Sequence, residues 1–249
     1  MRATDHILIT CEHGGNRVPH MYRARFAAFE PVLASHRGFD AGALVMARDL
    51  ARAFEAPLIH STITRLLIDL NRSPHHRNLC SAAMTPLKAE ERARIVHRWH
   101  YPYWKAVEDQ IRAAVAAGTR TVHVSSHSFT PIFDGEVRTT DIGLLYDPVR
   151  AGEADLARHW QRELAEVAPS LRVRRNYPYR GKNDGLTTHL RRKFPASKYV
   201  GLELEVNQAL MGYDARSWRN VRAAVVTALR AALVASSPST KTAPGVVSR

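Results

Sequence analysis

The chain has 249 residues, 45% of them hydrophobic, which suits one full core of ordinary α/β size. No apolar run approaches the roughly 20 residues that span a bilayer, and two cysteines make no disulfide framework, so membrane and disulfide-scaffold classes are excluded. The formal charge of +13 invites a nucleic-acid partner, but arginine is spread along the whole chain without a binding signature, so the charge is read as attraction for a small anion.

The N-terminal MRATDHILIT lacks an apolar stretch followed by a small-residue cleavage site. A cytoplasmic protein is expected. Residues 7–11 (ILITC) read as a buried first strand. AGALVMARDLARAF (41–54) has helical spacing, with Leu44, Ala47, Leu50 and Ala51 on one face and Asp40 at the N-cap position. PLIH (57–60) and RLLIDL (65–70) read as two more strands. Thr85-Pro86 opens a long helix that runs, with a break near Pro102, to Gly118. TVHVSS and DIGLLY are strands flanking the loop FTPIFDGEVRTT. Residues 151–167 form an amphipathic helix, LRVRRN (171–176) an edge strand, YVGLELEV the last strand, and residues 217–234 a closing helix. Strands alternating with helices imply one domain, residues 1–235, built on a mixed sheet with helices on both faces. The remainder, residues 236–249, has the composition of a disordered tail.

Two histidines follow β-branched runs, His13 after ILIT and His127 after TVHV, and strand ends of α/β sheets are where ligands are held. His13 is followed by Gly14-Gly15, which permits a tight turn and close backbone approach. His127 sits in SSHSFTP among hydroxyls able to orient an imidazole. A Ser-His nucleophilic pair through Ser126 or Ser128 is the competing chemistry, without a nucleophile elbow to support it. Asn71 and Arg72 offer an amide and a planar fork suited to a carboxylate, or else Arg72 pairs with Asp69. Glu203 and Glu205 share one face of a strand. Either is a general-base candidate, since a buried acid is costly unless paired or near a metal; an edge strand with a solvated face is the alternative. His97 and His100 have a spacing that can hold zinc, but no helical HExxH accompanies them, and the aromatic neighbours favour packing. His75 and His76 fall in a polar loop, and Cys11 on its apolar strand reads as packing.

Taken in order, CEHGGNRVP, FDAGAL, RLLIDLNRS, SSHSFTP, DGEVR, NYPYRGKNDGLTTHLR and GLELEVNQ resemble the blocks of the N-formylglutamate amidohydrolase family, over roughly residues 6 to 215. The resemblance implies a zinc carboxypeptidase-like and aspartoacylase-like fold with one zinc per chain at strand ends. It implies His13 and His127 as zinc ligands, and Asn71 and Arg72 as groups that hold a substrate carboxylate or polarise the scissile carbonyl. Glu205 would be the base that activates water, and Arg138 and Arg180 further contacts to an anion. Carboxypeptidase-like sites take a ligand from a Glu three residues after the first His, where this chain has Asn16. Asp40 is expected to supply the missing oxygen, with Glu12 as the alternative. The activity implied is metal-assisted hydrolysis of a small anionic N-acyl amino acid; a peptidase acting on short or cell-wall peptides is the rival, and a basic nucleic-acid-associated protein the non-enzymatic one.

Overall fold

The computed structural model describes residues 5–212 and 214–236. Past Ser236 the expected disordered tail lies outside the described residues. The strands are β1 His6–Cys11, β2 Leu58–His60, β3 Thr121–Phe129, β4 Ile132–Phe133, β5 Glu136–Val137, β6 Ile142–Leu145, β7 Val173–Arg175 and β8 Tyr199–Asn207. The helices are α1 Arg23–Phe26, α2 Glu30–Leu33, α3 Ala43–Phe54, α4 Ala89–Ile95, α5 Tyr101–Ala116, α6 Ala151–Val167, α7 Leu186–Lys193 and α8 Ala215–Ala235. Six strands form one sheet in the order β2-β1-β3-β8-β6-β7, and β4 and β5 form a separate hairpin. Strands β2, β1, β3 and β8 run parallel, whereas β6 pairs antiparallel with β8 and carries β7 parallel to itself. The sheet is therefore mixed, as expected. Among the described residues no helix is long and apolar enough to cross a membrane.

Two cores cover the two faces. Ile9, Val122, Val124, Val200, Leu202 and Leu204 pack with α3, α6 and α8 on one face, and Leu8 and Tyr199 pack with α5 and α7 on the other. Side chains alternate along a strand, so register decides which residues share a face. The pairings His123 with Gly201, Ser125 with Glu203 and His127 with Glu205 put a polar row on the face of Tyr199, rising toward the carboxyl ends of β3 and β8. Because β1, β3 and β8 are parallel, these ends meet at one edge of the sheet.

Several local expectations change. RLLIDL is not a strand: turns occupy residues 65–67 and 70–71, and Ile63 just before it makes an isolated bridge, to Arg17. Leu66, Leu67, Ile68 and Leu70 are buried in the core of the α5 face, so their apolar run reflects packing rather than pairing. The long helix starts at Ala89 rather than at Thr85-Pro86, and the break near Pro102 is a π-helical turn over Val96–His100. A proline has no N–H to give to the preceding turn, and π turns are how a helix absorbs such a defect. Asp40 does not cap α3: the N-cap is Gly42, at φ 72° against Met211, so the Asp40 carboxylate is released for other work. β8 lies between β3 and β6, which removes the edge-strand alternative for Glu203 and Glu205.

Candidate metal centre and active-site cavity

The loop after β1 turns under Ser61 and Thr62. A Cβ on Gly14 would meet the Ser61 carbonyl at 2.9 Å, and one on Gly15 the Thr62 carbonyl at the same distance, so glycine is needed at both. This tight passage fixes His13, 2% exposed, beside Asp40 and His127. His13 Nδ1 is 3.3 Å and His127 Nδ1 2.8 Å from the same oxygen, Asp40 Oδ2. The donor atoms of the three side chains all lie within 4.8 Å of one another.

The far nitrogen of each ring is also held by an acid. His13 Nε2 lies 2.7 Å from Asp69 Oδ1, and His127 Nε2 lies 3.0 Å from Glu12 Oε2 and 2.9 Å from Ser125 Oγ. Donation of each Nε2–H to a carboxylate would leave both Nδ1 lone pairs facing Asp40 Oδ2, an arrangement that a bound cation, or without one a proton on His127, reconciles. The acids are themselves fixed. Glu12 accepts from Tyr103 Oη at 2.9 Å and from Ser125 Oγ at 2.5 Å. Arg65 links the other two, donating to Asp40 Oδ1 at 3.1 Å and to Asp69 Oδ2 at 2.8 Å.

Electrostatics follow this wiring. Burial would raise the Glu12 pKa, but hydrogen bonds and charge from His127 and Ser125 outweigh it and hold Glu12 at about 2. Burial likewise opposes ionisation of Asp40 and Asp69, yet His13, His127 and Arg65 hold Asp40, and Arg65 and His13 hold Asp69, below the usual carboxylate range. Burial would lower His127, but its hydrogen bonds to Asp40 and Glu12, which accept, push it well above its ordinary value instead. Glu205 is the exception. Burial, reinforced by the charges of Asp40 and Glu203 against those of His127 and Arg65, lifts it to about 8. It is 5% exposed, and its Oε2 has no hydrogen-bond partner among the described residues. Glu203, one step along the same face, accepts from Thr187 Oγ1 at 2.5 Å.

These groups open into a cavity of about 760 Å³ lined by His13, Asp40, His127, Glu203 and Glu205, together with Asn71, Arg72 and Arg180. Asn71 Nδ2 is 3.4 Å from His127 Nε2, and its Oδ1 accepts from the Leu186 amide at 2.9 Å. Arg72 donates to the Asp184 carbonyl at 2.9 Å through Nη1. The turn bearing this pair is pinned from behind: Trp104 Nε1 donates to the Leu70 carbonyl at 2.7 Å and His100 Nε2 to the Arg72 carbonyl at 2.8 Å.

Of the residues anticipated from sequence, His13, Asp40, His127, Glu205, Asn71, Arg72 and Arg180 meet in this cavity, and Arg138 is not among those lining it. Asn16 is exposed and bonds to the Leu33 carbonyl, away from the histidines. Ser126 and Ser128 donate to the carbonyls of Ala43 and Ala41, so neither is directed at His127 as a nucleophile. His97 is exposed and His100 buried in its bond to Arg72, so the two do not converge on a metal. Arg65 and Tyr103 were not anticipated, and Asp69 was expected only as a partner of Arg72, whereas it accepts from His13 and Arg65. The available signal was the i,i+4 spacing of Arg65 and Asp69 just before Asn71, hidden by the strand-like reading of that segment.

Three comparisons bear on identity. A gene product of Agrobacterium tumefaciens, known by crystal structure, is similar at 29% identity and a TM-score of 0.81, over 94% of this chain and 92% of that one. The N-formylglutamate amidohydrolase of Ralstonia eutropha JMP134 shares the fold at 20% identity and a TM-score of 0.69, over 92% and 93% of the two chains. No curated protein matches. The family model of N-formylglutamate amidohydrolase matches residues 5–211, and the chain belongs to that family of hydrolases.

Proposed function

We propose that this chain is a zinc-dependent amidohydrolase that removes a formyl or other small acyl group from an N-acyl amino acid, with one zinc per chain. The observation that carries the reading is the convergence of His13 Nδ1 and His127 Nδ1 on Asp40 Oδ2, each ring tied at its other nitrogen to an acid. Two imidazoles and one carboxylate are a donor set that suits catalytic zinc, and outer carboxylates that fix the ring tautomers are its usual support. In this reading Asp40 is the oxygen ligand, and Glu12 and Asp69 position the rings rather than bind metal. When bound, zinc would polarise the scissile carbonyl and lower the pKa of water toward 7.

Glu205 is the base. Its side chain lines the same cavity as the histidines, and a buried carboxyl whose pKa is raised toward that of metal-bound water can take a proton from that water and return it to the leaving amine. Glu203, already engaged by Thr187, is left with a supporting role. Asn71 orients the carbonyl or carboxylate of the substrate, and Arg72 and Arg180 supply positive charge for its carboxylate. The pinning of the 70–72 turn by Trp104 and His100 keeps that anion site in register with the metal centre.

Elemental analysis tests the metal. About one zinc in the purified protein, lost in both His13→Ala and His127→Ala, is the expected result. Equal metal in all three proteins would reject the site. Turnover of a panel of N-formyl and N-acetyl amino acids then tests the chemistry, and the absence of turnover on every member would reject the amidohydrolase reading.

A further inference from the structure

The hydrolytic groups account for the buried end of the cavity and leave its mouth unexplained. Phe129, Ile132, Phe133 and Tyr179 line the same cavity, and Ile132 and Phe133, both on β4, remain 56% and 44% exposed. Three of these side chains surround one cation. The Arg138 guanidinium lies 4.5 Å from the Phe133 ring centre, 5.2 Å from that of Tyr179 and 5.8 Å from that of Phe129. Its Nη1 donates to Tyr179 Oη at 3.2 Å, and its backbone carbonyl accepts from Asn207 Nδ2 at 3.0 Å, at the end of β8. A guanidinium engaged by ring faces in this way fixes the rings and is poorly placed to receive a substrate anion. Arg138 is therefore a brace, and Arg37, Arg72 and Arg180 remain on the cavity wall for a carboxylate.

Large apolar side chains held in place at the mouth of a cavity mark a surface that a ligand covers. We infer that Phe129, Ile132, Phe133 and Tyr179 form a specificity subsite for an apolar group carried next to the scissile amide. The favoured substrates are then N-acyl amino acids bearing an aromatic or branched aliphatic group, in place of the second carboxylate of a glutamate. The inference rests on the proposed amidohydrolase chemistry for turnover, but not for binding. The apolar group can belong to the amino-acid side chain or to the acyl moiety, and the two sources are separable by substrate choice.

The test uses the full zinc-loaded chain with N-formyl-L-phenylalanine, N-hexanoylglycine, N-formyl-L-glutamate and N-formylglycine. One or both of the apolar compounds should exceed the last two in kcat/KM by about ten-fold or more, the scale on which a hydrophobic pocket discriminates. N-formylphenylalanine as the better substrate assigns the subsite to the side chain, and N-hexanoylglycine assigns it to the acyl group. In Phe133→Ala and Ile132→Ala the ratio of apolar compound to N-formylglycine should collapse to within a few-fold, on the same scale. A preference for N-formylglutamate, or an unchanged ratio in Phe133→Ala, overturns the inference while leaving the hydrolase reading intact. If no compound is turned over, that reading fails instead, and calorimetric binding decides the subsite. N-formylphenylalanine or N-hexanoylglycine bound about ten-fold more tightly than N-formylglutamate, with the difference lost in Phe133→Ala, upholds it. Equal affinities for all three sink it.

Discussion

Two buried charged clusters touch the β8 strand, and they differ in the one respect that separates chemistry from scaffolding. Near the start of β8, Glu153 is fully buried with both oxygens taken: Arg191 Nε reaches each at 3.0 Å, and the amides of Asp147 and Gly201 donate to them. Arg191 also donates to the carbonyls of Gly181 and Gly201, tying α6, α7 and β8 together. At the other end of the strand, Glu205 is also buried, but its Oε2 has no hydrogen-bond partner among the described residues, and its side chain lines a cavity beside two imidazoles. Buried charge alone therefore does not mark a site. A buried charge left unsatisfied where a ligand can reach it does.

Substitution at the two glutamates should break the comparison most sharply. Glu205→Gln is expected to lower kcat on the best N-acyl substrate by about 10² to 10⁴-fold, the range typical of removing a general base. Its thermal stability should stay close to that of the wild type below pH 8, because Glu205, raised to about 8, is already largely neutral there and is replaced by a neutral amide of similar shape. Undiminished turnover would show that another group takes the proton.

Glu153→Ala should do the reverse. Leaving Arg191 buried without its partner costs about 3 to 5 kcal/mol of unfolding free energy, while kcat of the folded fraction stays near wild type. Denaturant unfolding beside a kinetic assay reads both, and a stable but inactive variant would move Glu153 into the chemistry.

The contrast recurs within β3. His127 is pushed up by its acids, whereas His123, four residues back, is satisfied on both sides by Thr10 Oγ1 and Tyr199 Oη at 2.8 Å each. Burial, helped by the positive charges of Arg191 and His127 against that of Glu12, lowers His123 from 6.5 to about 4. The folded protein thus keeps His123 neutral where the unfolded chain takes up a proton. Its contribution is intact above pH 6.5 and is lost as pH falls toward 4, by up to about 3 kcal/mol. His123→Gln should flatten the pH dependence of Tm between those limits. Identical slopes for variant and wild type would remove His123 as the cause.

Much of the site was legible as residue types after strands. His13 and His127 stood out by their β-branched runs, the Glu203–Glu205 pair by its spacing, and Asn71–Arg72 by its polarity after an apolar segment. Choosing between the two glutamates was not possible locally, because Thr187, which occupies Glu203, lies on α7 and reaches it only through packing. Arg65 and Asp69 were hidden for a related reason: RLLIDL has a strand's composition, and only burial against the α5 face converts it into turns that aim both charged groups inward. Arg138 was expected to meet an anion from its place in the DGEVR block, and the fold surrounds it with aromatic rings.

By itself the sequence determined the alternation of strands and helices, the mixed sheet, and the residue types available at the strand ends, since period-two and helical patterns are local consequences of backbone geometry. The tertiary structure alone decided which acids hold imidazoles, which glutamate stays free and which arginine faces the cavity. Those outcomes depend on register between strands far apart in the chain and on which neighbours burial supplies, and neither is encoded within any short window of residues.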